Sequence, residues 1–224
     1  MTLEPRLQLQ PLLAKLDQAA TAEQVRFAVE EIAAACLADA VPILIAVLGY
    51  NNPGAAVAAV DGLIAIGEPA VLPLIELLDG FNYGARAWAL RALSGIGDPR
   101  GMDLVVKAAL EDFALSVRRA AARGVGTLRW AQFPGPERPA SQKRAIETLI
   151  QVCADPEWVV RYAAVTGLEA LWDKLDPSLH ASQRPGLKQQ LRVLSAQDES
   201  RVVRGRARLA LWRSRALEPD PRSE

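Results

Sequence analysis

The sequence predicts an all-α chain, a solenoid of about five to six stacked helix pairs. Three observations predict it. The first is a helix bounded by its own start and stop signals. Residues 80–100 open with a turn at Gly80–Gly84. Small or apolar residues follow at Ala85, Trp88, Ala89, Ala92, Leu93 and Ile96, and the stretch stops at Gly97 with Pro99 beyond. Spacing of three and four puts those residues on one helical face, and Gly then Pro is the usual terminator. The second observation is recurrence. Val57–Gly67 repeats the pattern of Ala87–Gly97, and Gly67-Glu68-Pro69 matches Gly97-Asp98-Pro99. Val117-Arg118-Arg119-Ala120, Val160-Arg161-Tyr162-Ala163 and Val203-Arg204-Gly205-Arg206 follow at steps of 43 residues. A period of roughly 30–47 residues built from two helices is the signature of HEAT-type repeats. The third is composition. The 224 residues are 50% hydrophobic and 23% charged, with few aromatics and abundant alanine, which favours helix.

The elements follow in chain order. Residues 1–38 read as a two-helix cap, with Thr21 starting the second helix ahead of Glu23-Gln24. Val41–Leu48 is the outer helix of the next pair, and the Tyr50–Gly54 turn leads into its inner helix at 55–66. Val71–Leu78 and Met102–Leu110 are further outer helices, the latter paired with a helix over 116–130. Ala131–Ala140 carries three prolines, so 131–142 is expected to be a loop between repeats. Helices are expected at 143–154 and 157–172. A second loop over 173–186 holds the one histidine, His180, and a final pair spans 187–215. The chain reads as one domain over 1–215 with a frayed tail at 216–224.

Composition also bounds function. The longest apolar run, Ala40–Leu48, falls well short of the ~20 residues that span a bilayer. No basic start followed by an apolar run marks a signal peptide. A cytoplasmic protein without membrane insertion is expected. Cys36 and Cys153 each sit in an apolar helical pattern and read as buried free thiols. Two isolated cysteines and one histidine make no metal site. Net charge is zero but polarised: residues 1–112 hold 7 basic and 14 acidic side chains, residues 113–224 hold 19 and 12. That asymmetry points to an anionic partner for the second half. The arginines are spread through repeats rather than clustered, so nucleic acid is not indicated.

Repeat register separates scaffold from candidate chemistry. Asp112, Asp155 and Asp198 each precede an arginine, Arg118, Arg161 and Arg204, by six residues. Recurrence in one register argues that each Asp accepts from backbone N–H groups at a helix start. Each Arg is expected to pair with an acid of a neighbouring repeat. Arg86 is assigned to the same interface class. Trp88 aligns with Ala120 and Ala163 on the row expected to be buried. Two other rows, Val57/Ala87/Arg119/Tyr162 and Asp61/Arg91/Arg123/Thr166, lie four residues apart within each helix and share a face. One acid, three arginines and a phenol meet there without a common repeat role. The face is either a solvated polar surface or a groove for an elongated anion. Asn82 and Tyr83 stand at the rim of the central inner helix. Trp130 and Trp158 are aromatic candidates at helix ends, while Phe113 and Trp158 equally fit a core edge. Nucleotide loops, the serine-hydrolase elbow and the zinc-protease motif are all missing from the sequence.

Four runs carry a family resemblance: Tyr-Asn-Asn-Pro-Gly-Ala-Ala (50–56), Asn-Tyr-Gly-Ala-Arg (82–86), Phe-Ala-Leu-Ser-Val-Arg-Arg (113–119) and Glu-Trp-Val-Val-Arg-Tyr-Ala (157–163). The stretch 25–172 resembles the E/F-type phycobilin lyases of cyanobacteria, most closely their F-type chains. The resemblance implies a helical-repeat subunit active only as a heterodimer with an E-type subunit. Such a pair delivers a linear tetrapyrrole, phycocyanobilin, to a cysteine of the apo-phycocyanin α subunit, where a thioether forms at the ring A ethylidene. The nucleophile belongs to the acceptor, and no cofactor beyond the bilin substrate is implied. Isomerising relatives carry adjacent His and Cys, which this sequence lacks, so ligation without isomerisation is expected. On this reading Arg91, Arg119 and Arg123 meet the bilin propionates. Asn82, Tyr83, Trp158 and Tyr162 line the pigment, and Asp61 is the candidate acid. The alternative is a non-catalytic repeat adaptor or chaperone for phycobiliproteins, serving antenna disassembly or chromophore detachment.

Overall fold

The computed structural model describes residues 3–78 and 83–216. Over those residues the chain is helical with short 3-10 turns, as the repeat pattern requires. It packs as two units, Met1–Gly101 and Met102–Glu224.

The first unit holds α1 (Leu3–Asp17), α2 (Ala22–Ala34), α3 (Val41–Val47), α4 (Pro53–Ile66), α5 (Val71–Leu78) and α6 (Tyr83–Ile96). Each start and stop has a local cause. Thr21 accepts from the Gln24 N–H at 3.2 Å, and the Gln24 side chain accepts from the Thr21 N–H at 3.1 Å. This reciprocal box satisfies two orphan donors at the start of α2. Asn52 accepts from the Ala55 N–H at 3.1 Å and donates to the Ala22 carbonyl at 2.7 Å. One amide therefore caps α4 and ties it to the start of α2. Gly67 and Gly97 end α4 and α6 at φ 78° and 68°, a region where a Cβ is strained. Beyond Gly97, Arg100 binds Asp98 at 2.8 Å and Glu68 at 2.9 Å, bridging the two equivalent turns. Ile32, Leu44, Leu63, Leu74, Leu90 and Leu93 form the dry centre. The inner helices α2, α4 and α6 pack in sequence. A Cβ on Gly62 would stand 2.6 Å from that of Ala33, and one on Gly95 2.3 Å from the tip of Ile64.

The second unit holds α7 (Met102–Glu111), α8 (Leu115–Thr127), α9 (Arg138–Val152), α10 (Trp158–Trp172), α11 (His180–Gln197) and α12 (Arg201–Ala216). Here the inner helices are α8, α10 and α12. At Gly126 and Gly167 two of them touch backbone to backbone: a Cβ on Gly126 would fall 2.0 Å from the Gly167 carbonyl oxygen. The aspartate–arginine register forms a ladder. Arg118 grips Asp155 with Nε at 2.7 Å and Nη2 at 3.2 Å, while its Nη1 donates to the Asp112 and Phe113 carbonyls. Arg161 repeats this on Asp198 at 2.8 and 3.1 Å, with Nη1 on the Asp155 and Pro156 carbonyls. Each carboxylate also accepts a backbone N–H two residues on, from Ala114, Glu157 and Ser200. Arg118 and Arg161 join two repeats as expected, whereas each Asp bonds the N–H of the residue just ahead of its helix rather than capping the helix itself. The aspartate hydrogen bonds hold the Arg118 and Arg161 guanidiniums above their ordinary pKa.

The structure corrects several expectations. The region 131–142 is not all loop, because α9 begins at Arg138. Pro139 sits in its first turn, where the missing N–H costs nothing. Nor is 173–186 all loop: α11 begins at His180, whose Nε2 donates to the Leu175 carbonyl at 2.9 Å. Pro185 stands inside that helix at an exposed position, where the freed Ala181 carbonyl faces water. Cys36 is exposed rather than buried. It occupies the left-handed position past α2 at φ 50°, outside the helix that would have hidden it. Cys153 is buried as expected, and burial pushes its thiol up to about 12. Trp88 is only half-buried, because its indole carries the Arg91 guanidinium at 4.7 Å instead of filling the core. Trp130 is core, not a ligand contact: it is buried against Phe133, ring centres 4.8 Å apart.

Candidate functional site

Each unit presents a face built from its inner helices. In the first unit, Val57 and Asp61 of α4 are exposed, as the register predicts. With Arg26 and Glu30 of α2 they line an open groove of about 430 Å³. This groove is largely self-neutralised. Arg26 bonds Glu30 at 2.5 Å, lies 3.9 Å from Glu23, and stacks on Phe27 at 4.2 Å. Arg91 of α6 is exposed, its guanidinium resting over Trp88. Asn82 lies outside the described residues, and so does the side chain of Tyr83.

The second unit's face differs in character. Arg119 and Arg123 of α8 are exposed and have no carboxylate partner among the described residues. They stand one turn apart, about 6 Å along the axis. On the neighbouring α10, Trp158 is 45% and Tyr162 37% exposed. Phe113 is 76% exposed and does not close a core edge. Thr166 donates to the Tyr162 carbonyl at 3.0 Å and accepts from Arg206 Nε at 3.3 Å. The register therefore brings Arg119, Arg123, Trp158 and Tyr162 onto adjacent helices of one face. Apolar planes interleaved with uncommitted guanidiniums suit a flat, conjugated ligand carrying carboxylates, since Arg matches carboxylate geometry with two parallel N–H donors.

Three residues on α12 belong to this face and escape the repeat reading. Leu209 and Trp212, 39% and 68% exposed, continue the Thr166 and Glu169 positions one repeat further. Extending the rows by 43 residues would have found them. Arg206 stands in the register of Ala120 and Ala163, where a small side chain is expected. Its guanidinium is buried, paired with Glu169 and 6.0 Å from the centre of the Tyr162 ring. Among the described residues no cluster of His, Cys, Asp or Glu can hold a metal ion, and no helix is long and apolar enough to cross a membrane.

Comparison with known proteins places this geometry. Residues 71–169 match the HEAT-repeat family. The phycocyanin alpha phycocyanobilin lyase CpcF of Synechocystis sp. PCC 6803 is 57% identical over 164 residues, 73% of this chain and 77% of that protein. A phycocyanobilin lyase subunit beta of Pseudanabaena tenuis is 48% identical over 203 residues, 90% of this chain and 72% of that one. Among solved structures, the complex of CpcE and CpcF of phycocyanin lyase from Nostoc sp. PCC7120 contains a chain 45% identical, with a TM-score of 0.70. The match covers 77% of this chain and 98% of that one. The chain belongs to the phycobilin lyase family, in the branch of the CpcF and lyase subunit-beta proteins.

Proposed function

We propose that this chain is the F-type subunit of a heterodimeric bilin lyase, which attaches phycocyanobilin through a thioether to a cysteine of the phycocyanin α subunit. The observation that carries the reading is 57% identity to a phycocyanin α lyase subunit. The exposed arginine and aromatic face of the second unit supports it. In the reaction the acceptor's S–H adds across the exocyclic double bond of ring A. Sulfur bonds to the ethylidene carbon, and a proton goes to the neighbouring ring carbon, so no oxidant or reductant is needed.

This chain's share of the work is to hold the pigment. Arg119 and Arg123 pair with the propionates, and Trp158 and Tyr162 pack on the rings. The first unit's own face offers Arg91 as a propionate partner and Asp61 as the candidate acid. The thiols of this chain do not compete with the acceptor's. Cys153 is buried and held protonated, and Cys36 is not among the residues that line the first unit's groove. Aligning thiol and ethylidene supplies up to about 7–11 kcal/mol of barrier lowering in favourable cases. The bilin is substrate, and the complex works in the cyanobacterial cytoplasm beside the phycobilisomes.

The test is co-expression of this chain with an E-type subunit, the bilin and apo-α subunit. The α subunit should become coloured and stay coloured after acid-urea denaturation, and it should remain uncoloured when either lyase chain is omitted. Capture of α subunit without covalent colour would contradict the lyase reading in favour of an adaptor. Loss of colour from holo-α subunit would indicate detachment instead.

A further inference from the structure

The ladder of the second unit reaches a rung that is built but unfilled. In each of its two complete rungs an arginine anchors Nη1 on two backbone carbonyls and turns Nε and Nη2 to an aspartate 37 residues on. Arg204 repeats the anchored half, with Nη1 on the Asp198 and Glu199 carbonyls. Its Nε and Nη2 edge meets no carboxylate among the described residues. The carbonyl anchors orient the guanidinium as in the earlier rungs, so that edge is aimed where a following helix would start. The neighbouring positions have changed in the same sense. Val165 and Leu168 of α10 are fully buried; their counterparts on α12 are Arg208, exposed, and Leu211, half-buried. Arg201 and Val202 beside them are exposed as well. A repeat face that meets only water needs a polar surface, which accounts for Arg208. It does not need a guanidinium held in repeat geometry.

We infer that this end face of α12 docks a second helical-repeat chain. A carboxylate at the start of one of its helices completes the bidentate pair with Arg204, and acidic neighbours lie against Arg201 and Arg208. The inference rests on the heterodimeric lyase reading, so the occupant is the E-type subunit. The repeat rule of this chain specifies the chemistry of the contact: an aspartate in the turn just ahead of a helix serves both its own backbone and an incoming arginine, as Asp155 and Asp198 do.

The test titrates the full-length chain with purified E-type subunit at low and moderate salt, reading the dissociation constant. Arg204→Gln should weaken pairing at least about tenfold, as expected for a lost charge-assisted bond. Arg204→Lys should rescue little, because an ammonium cannot offer two parallel donors. Arg208→Glu should weaken pairing comparably and leave the isolated chain's thermal midpoint unchanged. Arg192→Glu, exposed on α11, should stay within about twofold, as surface changes away from a contact do. Pairing that ignores both Arg204→Gln and Arg208→Glu overturns the inference. So does an Arg204→Gln destabilisation that vanishes when the chain ends at residue 216, which would make residues 217–224 the occupant. Failure of the unaltered chain to pair at all sinks the lyase reading instead.

Discussion

The two units use the same helix pairs but join them differently. In the first, repeats meet through a neutral amide, Asn52 on the Ala22 carbonyl, and an exposed ionic bridge, Arg100 on Glu68. In the second, they meet through buried bidentate pairs, with the Arg161 and Asp198 side chains only 8% and 3% exposed. The faces follow the joints. The first unit's groove spends Arg26 on its own glutamates, whereas the second locks Arg118 and Arg161 into the scaffold and leaves Arg119 and Arg123 free of acids among the described residues. One position of register thus separates a structural arginine from an available one. Charge in this chain is informative only when the helix phase is known.

The largest difference between the units should appear on breaking a joint. Arg161→Ala leaves Asp198 buried and unpaired and should cost about 3–5 kcal/mol in urea unfolding. Glu68→Ala, which cuts an exposed pair, should cost no more than ~1 kcal/mol. Equal losses would erase the distinction drawn here. Next in size are the close approaches. Gly126→Ala drives a methyl into the Gly167 backbone, which cannot rotate away. It should cost about 3 kcal/mol, the upper end for overpacking. Gly95→Ala meets the tip of Ile64, a side chain that can turn aside, and should cost roughly 1 kcal/mol. Asn52→Ala removes a cap and a strut together and should cost ~1–2 kcal/mol.

The thiols give a smaller contrast that separates the units chemically. Cys36 should react with a thiol reagent in the native chain, while Cys153 should be protected until unfolding. Burial raises the Cys153 pKa above its ordinary value near 9, toward about 12. Folding therefore favours the protonated thiol. Its contribution is fully present below pH 9 and falls as pH rises from there toward 12. A Cys153→Ala chain should show a flatter stability profile across that window.

Much of this was legible in the sequence because repeats read themselves. Gly67 and Gly97 marked helix ends through their place before Glu-Pro and Asp-Pro, and the six-residue spacing from Asp112, Asp155 and Asp198 to Arg118, Arg161 and Arg204 announced the ladder. Proline misled in both loops, since Pro139 sits in a helix's first turn and Pro185 is tolerated at an exposed position inside one, and both read as breakers in one dimension. Trp88 was assigned to the core by register. Register gives a direction from the helix axis, not the depth at which a large ring ends. Cys36 was lost because α2 stops before it. The face of the second unit was half legible: Arg119, Arg123 and Tyr162 fall out of the rows and Trp158 stands one turn before Tyr162, while Leu209 and Trp212 required carrying the register one repeat further.

On the proposed function the second unit's exposed arginines grip the pigment's carboxylates. Bilin titration of the reconstituted heterodimer, followed by absorbance, tests it most directly. Arg119→Ala with Arg123→Ala should weaken binding by at least about tenfold, the loss of charged hydrogen bonds, while the unfolding midpoint stays put. Asp61→Ala and Arg91→Ala, measured alongside, report the first unit's share in binding and attachment. Unchanged affinity in the Arg119/Arg123 double variant would contradict the account.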